Sequence, residues 1–248
     1  MKVALITGGS RGIGKSTALE TARRGIGVIL TYKSHPHEGE TVAGEIHRAG
    51  GKAVALKLDA ADVGSFDAFA ARVRDVLGAT WSRSDFDFLV NNAGIGQRSL
   101  INDTTPEQFD EIAAINLKGP FFLTQKLIPL MRDGGQVINV SSALSRVTFP
   151  GVAVYGALKS ALETLTRYMA SEFAARKIRV NCVAPGAIDT EFGGGKGNAE
   201  SRQRIAQLTA LARLGEADDI GHFVAALLSE DNPFLTAQRI EVSGGIAL

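Results

Sequence analysis

The chain has 248 residues, 45% hydrophobic and 21% charged, which are ordinary globular proportions with enough apolar side chains for a sizeable core. Its formal net charge of +1, with acids and bases mixed along the sequence, leaves no basic stripe and so no electrostatic case for a nucleic-acid partner or an anionic membrane surface. The single cysteine, Cys182, has no partner for an intrachain disulfide, the opening apolar run is too short for a secretory leader, and no stretch approaches the roughly 18 apolar residues of a membrane span, so a cytoplasmic protein is expected.

The first apolar run, Val3 to Ile6, predicts a strand that leads into TGGSRGIGKS (7–16). Two readings compete there. Gly9 to Ser16 fits G-x-x-x-x-G-K-S, the phosphate cradle of ATPases and GTPases; Thr7-Gly8 followed by Gly12 and Gly14 fits a glycine turn that offers backbone N–H groups to a pyrophosphate at a helix N-terminus. Further apolar runs near 27–32, 53–58, 86–90, 136–140, 178–183 and 238–242 alternate with helical patterns, which predicts a doubly wound α/β fold: about seven parallel strands with helices on both faces. No Pro/Gly/Ser-rich linker interrupts the rhythm, so residues 1–248 are expected to form a single domain.

Several local signals refine that outline. GATWSRSD (78–85) predicts a polar turn in which Trp81 is a surface or packing aromatic, and Asp103-Thr104-Thr105-Pro106-Glu107 supplies hydroxyl caps and a first-turn proline for a helix. In the helical stretch EQFDEIAAINLKGPFF, Asn116 is a lone amide on an apolar run and needs a partner. Ser142 ends the strand QVINVSS, with Ser141 as the competing hydroxyl. In VAVYGALKSALETL, Tyr155 and Lys159 are four apart and share one helix face. A phenol has an unperturbed pKa near 10, so using one as an acid–base group at neutral pH takes about 4 kcal/mol, part of which a neighbouring ammonium would supply. TEFGGGKGNAE (190–200) reads either as a surface loop or, because it follows the C-terminal end of a strand, as a lid. Cys182 is expected in the core, and the spacing of His35, His37, His47 and His222 predicts no metal site.

Six landmarks, TGGSRGIG (7–14), NNAG (91–94), Asn116, Ser142, YGALK (155–159) and PGAIDT (185–190), with IEVSGG (240–245) near the end, occur in the order and at the spacings of the short-chain dehydrogenase/reductase family, which the sequence resembles over nearly its full length. The resemblance implies a Rossmann-type sheet and a catalytic tetrad. Tyr155 would exchange a proton with the substrate oxygen, Ser142 would hold that oxygen, Lys159 would lower the pKa of the tyrosine and bind the nicotinamide ribose, and the backbone carbonyl of Asn116 would hold a relay water by interrupting its helix. It also implies cofactor contacts at Gly8, Ser10, Arg11, Gly12, Ile13 and Gly14 in the glycine turn, at Tyr32, Lys33 and Ser34 after the second strand, at Asp59 and Ala60 beside the adenine, at Asn91, Ala93 and Gly94, at Tyr155 and Lys159, and at Pro185, Gly186, Ile188 and Thr190. On this reading the apparent phosphate cradle is a coincidental overlap, because its Mg²⁺-binding acid would have to be Asp59, which the family uses otherwise. Where NAD-preferring members carry an acid after the second strand, Tyr32 stands here, and Arg11 with Lys33 resembles the NADP-preferring pattern, so NADP(H) is expected over NAD(H). The implied activity interconverts a small-molecule carbonyl and a secondary alcohol, and the general resemblance within the family is to 3-oxoacyl-[acyl-carrier-protein] reductases and to sugar or polyol dehydrogenases. A non-catalytic NADP(H)-binding regulator of the same fold is the alternative, disfavoured because all four tetrad residues are present. Leu144, Arg146 and Phe149 are expected near the substrate, with Arg146 either holding an anionic group or simply solvated. Ala237 stands where glycine is common, and the family habit implies a homotetramer.

Overall fold

The computed structural model describes residues 1–192, 198–229 and 232–248. Seven strands among these residues form one parallel sheet: β1 (Val3–Ile6), β2 (Gly27–Tyr32), β3 (Ala53–Lys57), β4 (Phe86–Asn91), β5 (Met131–Val140), β6 (Arg179–Pro185) and β7 (Arg239–Val242), in the spatial order β3-β2-β1-β4-β5-β6-β7. The helices are α1 (Gly12–Arg23), α2 (Pro36–Arg48), α3 (Phe66–Trp81), α4 (Pro106–Ala113), α5 (Gly119–Leu127), α6 (Ala153–Glu172), α7 (Ala199–Gln207) and α8 (Ala217–Leu227). The sheet carries two apolar clusters, as expected when strands rich in Val, Ile and Leu are covered on both faces. In β1, Val3 and Leu5 belong to the cluster with α3, α5 and part of α6, whereas Ala4 and Ile6 belong to the one with α1, α2 and α8. The strand order reverses between β1 and β4, and the turns after those two strands flank the crevice where such sheets bind ligands.

All seven expected strands are present, and the differences are local. Strand β5 begins at Met131, ahead of the apolar run, because Met131 pairs with Phe86 before a register shift; the intervening Gly134 takes φ +80°. The polar turn placed at 78–85 is shorter than expected. Helix α3 continues to Trp81, whose indole packs where a Cβ on Gly27 would otherwise stand, and it closes on Ser82 at φ 55°. The proline-led helix start is α4, where Thr105 and Gln108 form a reciprocal capping box. Ala237 takes φ 61°, which explains glycine's suitability there. His37 lies inside α2. Gly193 to Gly197, the centre of the stretch read as a lid, lie outside the described residues.

Candidate active site

The glycine turn is pinned from beneath. Gly8 N–H donates to Thr31 Oγ1 at 3.1 Å and Gly9 N–H to the Thr31 carbonyl at 2.9 Å, which ties the turn to β2. Asn92 Nδ2 donates to the carbonyls of Thr7 and Gly8 at 2.9 and 3.2 Å, while Thr7 Oγ1 accepts the N–H groups of Asn92 and Ala93, so the turns after β1 and β4 are cross-tied. Gly8 and Gly12 adopt positive φ, and a side chain on Gly14 would run into the Gly8 carbonyl. Helix α1 starts with no side-chain cap among the described residues and no acid in its first turn. A helix end left this way presents N–H groups and a positive dipole to an anion, which suits a pyrophosphate. Lys15 and Ser16, which an ATP cradle would aim at phosphates and Mg²⁺, are committed elsewhere: Lys15 Nζ lies 2.8 Å from Glu45 Oε1, and Ser16 Oγ donates to Asp218 Oδ1. Ile13 packs into the core beneath the turn, and Thr190 faces Gly12, its Cγ2 3.6 Å from where a Cβ would stand.

The chemical residues converge at the C-terminal edge of β4 and β5. Extended backbone at Ser142 (φ −161°) opens a 3₁₀ turn over 143–145, and Ser142 Oγ accepts the Leu144 N–H at 3.2 Å. Gly156 lets α6 lie against that turn, since a Cβ there would sit 2.7 Å from the Leu144 carbonyl. The phenol of Tyr155, 8% exposed, lies beside the Ser142 hydroxyl, while Ser141 turns to Glu163 and the Lys159 carbonyl. Of the two competing serines, Ser142 is thus the one beside the phenol. Lys159 Nζ donates to the Val140 carbonyl at 2.8 Å and stands 5.5 Å from the centre of the Tyr155 ring. Asn116 is fully buried within a π-helical turn, Ala114–Lys118, that interrupts the helical run between α4 and α5. Its Nδ2 donates to the carbonyls of Ile95 and Ile112, while its Oδ1 has no partner among the described residues and points at Gly94, where a Cβ would be 2.9 Å away and only 3.8 Å from Lys159 Nζ.

Electrostatics departs from the expectation that the lysine makes the phenol acidic. Burial pushes Tyr155 well above its ordinary value, and the Ser142 hydroxyl only partly opposes this. Burial also pushes Lys159 down to about 8. A charge is costly in this dry pocket whichever group carries it, and the ammonium lies over the ring and on a carbonyl rather than on the hydroxyl. The protein alone therefore keeps the phenol protonated.

Other expected contacts are redistributed. Asn91 is buried, and its Nδ2 donates to Thr124 Oγ1 and Asn139 Oδ1, so its amide serves the core, while Ala93 and Gly94 remain partly accessible. Lys33 pairs with Asp59 at 3.0 Å, and Asp59, although burial alone would raise it, is held below the usual carboxylate range by the Ala61 N–H and Lys33. Ala60 abuts Gly119 at the start of α5, Tyr32 packs on Gly39 of α2, and Ser34 is exposed. Arg11 is exposed and makes no ion pair among the described residues. Pro185 ends β6, Gly186 packs against Ser243, and Ile188 bridges Gly215. Arg146 is exposed, as the solvated reading expected, but it is not free: it pairs with Glu241 at 2.7 Å and donates to the Ile246 and Ala247 carbonyls. Two residues escaped the sequence reading. Glu38 of α2 brings a carboxylate 3.4 Å from Ser10 Oγ, and Phe192 tilts over Tyr155 with ring centres 5.7 Å apart. Neither belongs to a motif, and only helix and loop packing bring them here.

The family model described as enoyl-(acyl carrier protein) reductase matches residues 8–247. Among curated proteins, 3-oxoacyl-[acyl-carrier-protein] reductase FabG of Staphylococcus aureus is 37% identical over 99% of this chain and 98% of its own, and short-chain dehydrogenase/reductase FrzI of Cladobotryum sp is 34% identical over 99% and 95%. The chain belongs to the short-chain dehydrogenase/reductase family. Among solved structures of the family, the angucycline C-6 ketoreductase LanV with bound NADP superposes with a TM-score of 0.95 at 36% identity, covering 99% of this chain and 95% of LanV. As a member of this oxidoreductase family the chain carries its Rossmann-like sheet, and no helix among the described residues is long and apolar enough to cross a membrane.

Proposed function

We propose that this protein is an NADP(H)-dependent oxidoreductase that interconverts a carbonyl and a secondary alcohol, with Tyr155 as the acid–base group and residues 1–248 working as one dinucleotide-binding domain. The observation that carries the reading is the buried phenol of Tyr155 against the Ser142 hydroxyl, at the same sheet edge as an uncapped helix N-terminus and an orphaned amide oxygen. These features fit a nicotinamide dinucleotide: the first-turn N–H groups of α1 would hold the pyrophosphate, Arg11 a 2′-phosphate, and Lys159 the nicotinamide ribose. When bound, the cofactor supplies or accepts the hydride. In reduction, Tyr155 Oη donates its proton to the carbonyl oxygen and Ser142 Oγ donates a hydrogen bond to that same oxygen. A phenol that burial keeps protonated is ready for that step, and a charged Lys159 favours the phenolate it leaves behind. The free Oδ1 of Asn116 and its π-helical turn provide a buried polar position for the water that returns a proton.

LanV's bound NADP and the solvated Arg11 support NADP(H) over NAD(H), and Glu38 is the opposing charge. A homotetramer is part of the proposal, supported by an apolar groove of about 480 Å³ between α5 and α6 lined by Leu117, Phe121, Phe122, Leu165 and Tyr168, and a cytoplasmic setting is part of it too. The test is a panel of a β-keto ester, an aliphatic ketone, a fused-ring aromatic ketone and a ketose, each mixed with NADPH and followed by the loss of reduced-nicotinamide absorbance. Turnover of at least one member is expected; a panel without turnover from protein that binds NADPH would replace this reading with that of a regulator.

A further inference from the structure

Glu163 lies outside the four site residues, one turn beyond Lys159 on the same face of α6. Its side chain is only 12% exposed, and a single oxygen, Oε1, accepts from Ser141 Oγ at 2.8 Å, Ser145 Oγ at 2.6 Å and Arg239 Nε at 2.8 Å. Arg239, on β7, also donates to Ser145 Oγ and pairs with Glu241, the carboxylate that holds Arg146. The hydroxyl of Ser145 reaches the Ser142 carbonyl at 2.8 Å as well. The chain is thus clamped immediately before Ser142 and three and four residues after it, by the carboxylates of Glu163 and Glu241 and the guanidinium of Arg239, which α6 and β7 bring to it. Among the described residues, the hydroxyl of Ser142 meets a backbone N–H and the phenol and no charged group. A hydroxyl that must meet a reacting oxygen loses effectiveness with small displacements, and charge-assisted bonds at low exposure are the means to prevent them.

We propose that Glu163, acting with Arg239, is a positioning residue that holds Ser141 and Ser145 and thereby sets where the Ser142 hydroxyl meets the oxygen protonated by Tyr155. The proposal rests on the carbonyl–alcohol reading above. It is tested by a double-mutant cycle of E163A and S142A, using NADPH and the fastest ketone of the panel, with E163Q as the conservative variant and NADPH affinity read separately by fluorescence titration. E163A is expected to lower kcat by about tenfold or more while leaving KM and NADPH affinity within about twofold, E163Q to recover most of the loss, and E163A added to S142A to cost less than about twofold further. A kcat for E163A within about twofold of the parent, or a loss that is equally large in the S142A background, would overturn the proposal. If E163A does not fold, S145A takes its place in the same cycle with the same criteria, since it removes the bridging hydroxyl and leaves the Glu163–Arg239 pair. Absence of turnover in the parent protein sinks the enzyme reading and this role together; additive losses in an active parent sink the positioning role alone.

Discussion

Replacing Gly14 by alanine should damage both the fold and the proposed cofactor site, and the structure gives the size of the effect. The new Cβ would lie 2.8 Å from the Gly8 carbonyl carbon and 2.5 Å from Asn92 Nδ2, where carbon contacts normally settle at about 3.5–4.0 Å. Neither neighbour yields cheaply: one is backbone at φ +64°, and the other is the amide that cross-ties the turns after β1 and β4. The first turn of α1 and the glycine turn must therefore separate by about an ångström, an overpacking cost of about 1–3 kcal/mol. For a chain of this size that lowers Tm by about 2–12 °C. The same movement withdraws at least one N–H from a bound pyrophosphate, worth about 1.5–3 kcal/mol, or a ten- to hundredfold weaker Kd for NADPH. Thermal unfolding followed by circular dichroism and fluorescence titration with NADPH measure the two effects. Gly44→Ala is the control: within α2 its Cβ would meet nothing within 4 Å, so helix propensity alone should stabilise by about 0.5–1 kcal/mol. A G14A protein with parental Tm and NADPH affinity would refute the reasoning.

Further outcomes follow from the site. Tyr155→Phe should reduce kcat by about 10²–10⁴ while sparing NADPH binding, and retention of most of the rate would mean that another group carries the proton. Lys159 is pushed down to about 8, so the charge that favours the phenolate is present below that pH and disappears above it; kcat/KM for reduction should fall as pH rises through about 8, and a profile flat well beyond that point would refute the assignment. The same depression means that the unfolded chain binds this proton more tightly than the folded one, so Lys159 contributes rising stability as pH climbs from about 8 towards the ordinary lysine value. Arg11→Ala should raise KM for NADPH about tenfold and leave that for NADH nearly unchanged, whereas Glu38→Gln should improve NADPH selectively; a parental preference for NADH would defeat the cofactor assignment.

Much of this architecture was legible in the chain order of its residues. Apolar runs such as VALI and GVILTY mark the strands, the glycines after Ile6 mark a turn that only small residues can make, and the four-residue spacing of Tyr155 and Lys159 puts them on one face of any helix. These are properties of a few neighbouring residues, and so a sequence contains them. Packing decided the rest. Ser141 and Ser142 are adjacent hydroxyls at a strand end, and alternation sends them opposite ways without saying which way leads to the phenol; the approach of α6 settled it through Gly156. Lys33 and Asp59, or Arg146 and Glu241, each look available until folding joins partners far apart in the chain. The acidity of the phenol likewise depends on how completely the surrounding elements exclude water, a property of the closed pocket that no spacing encodes.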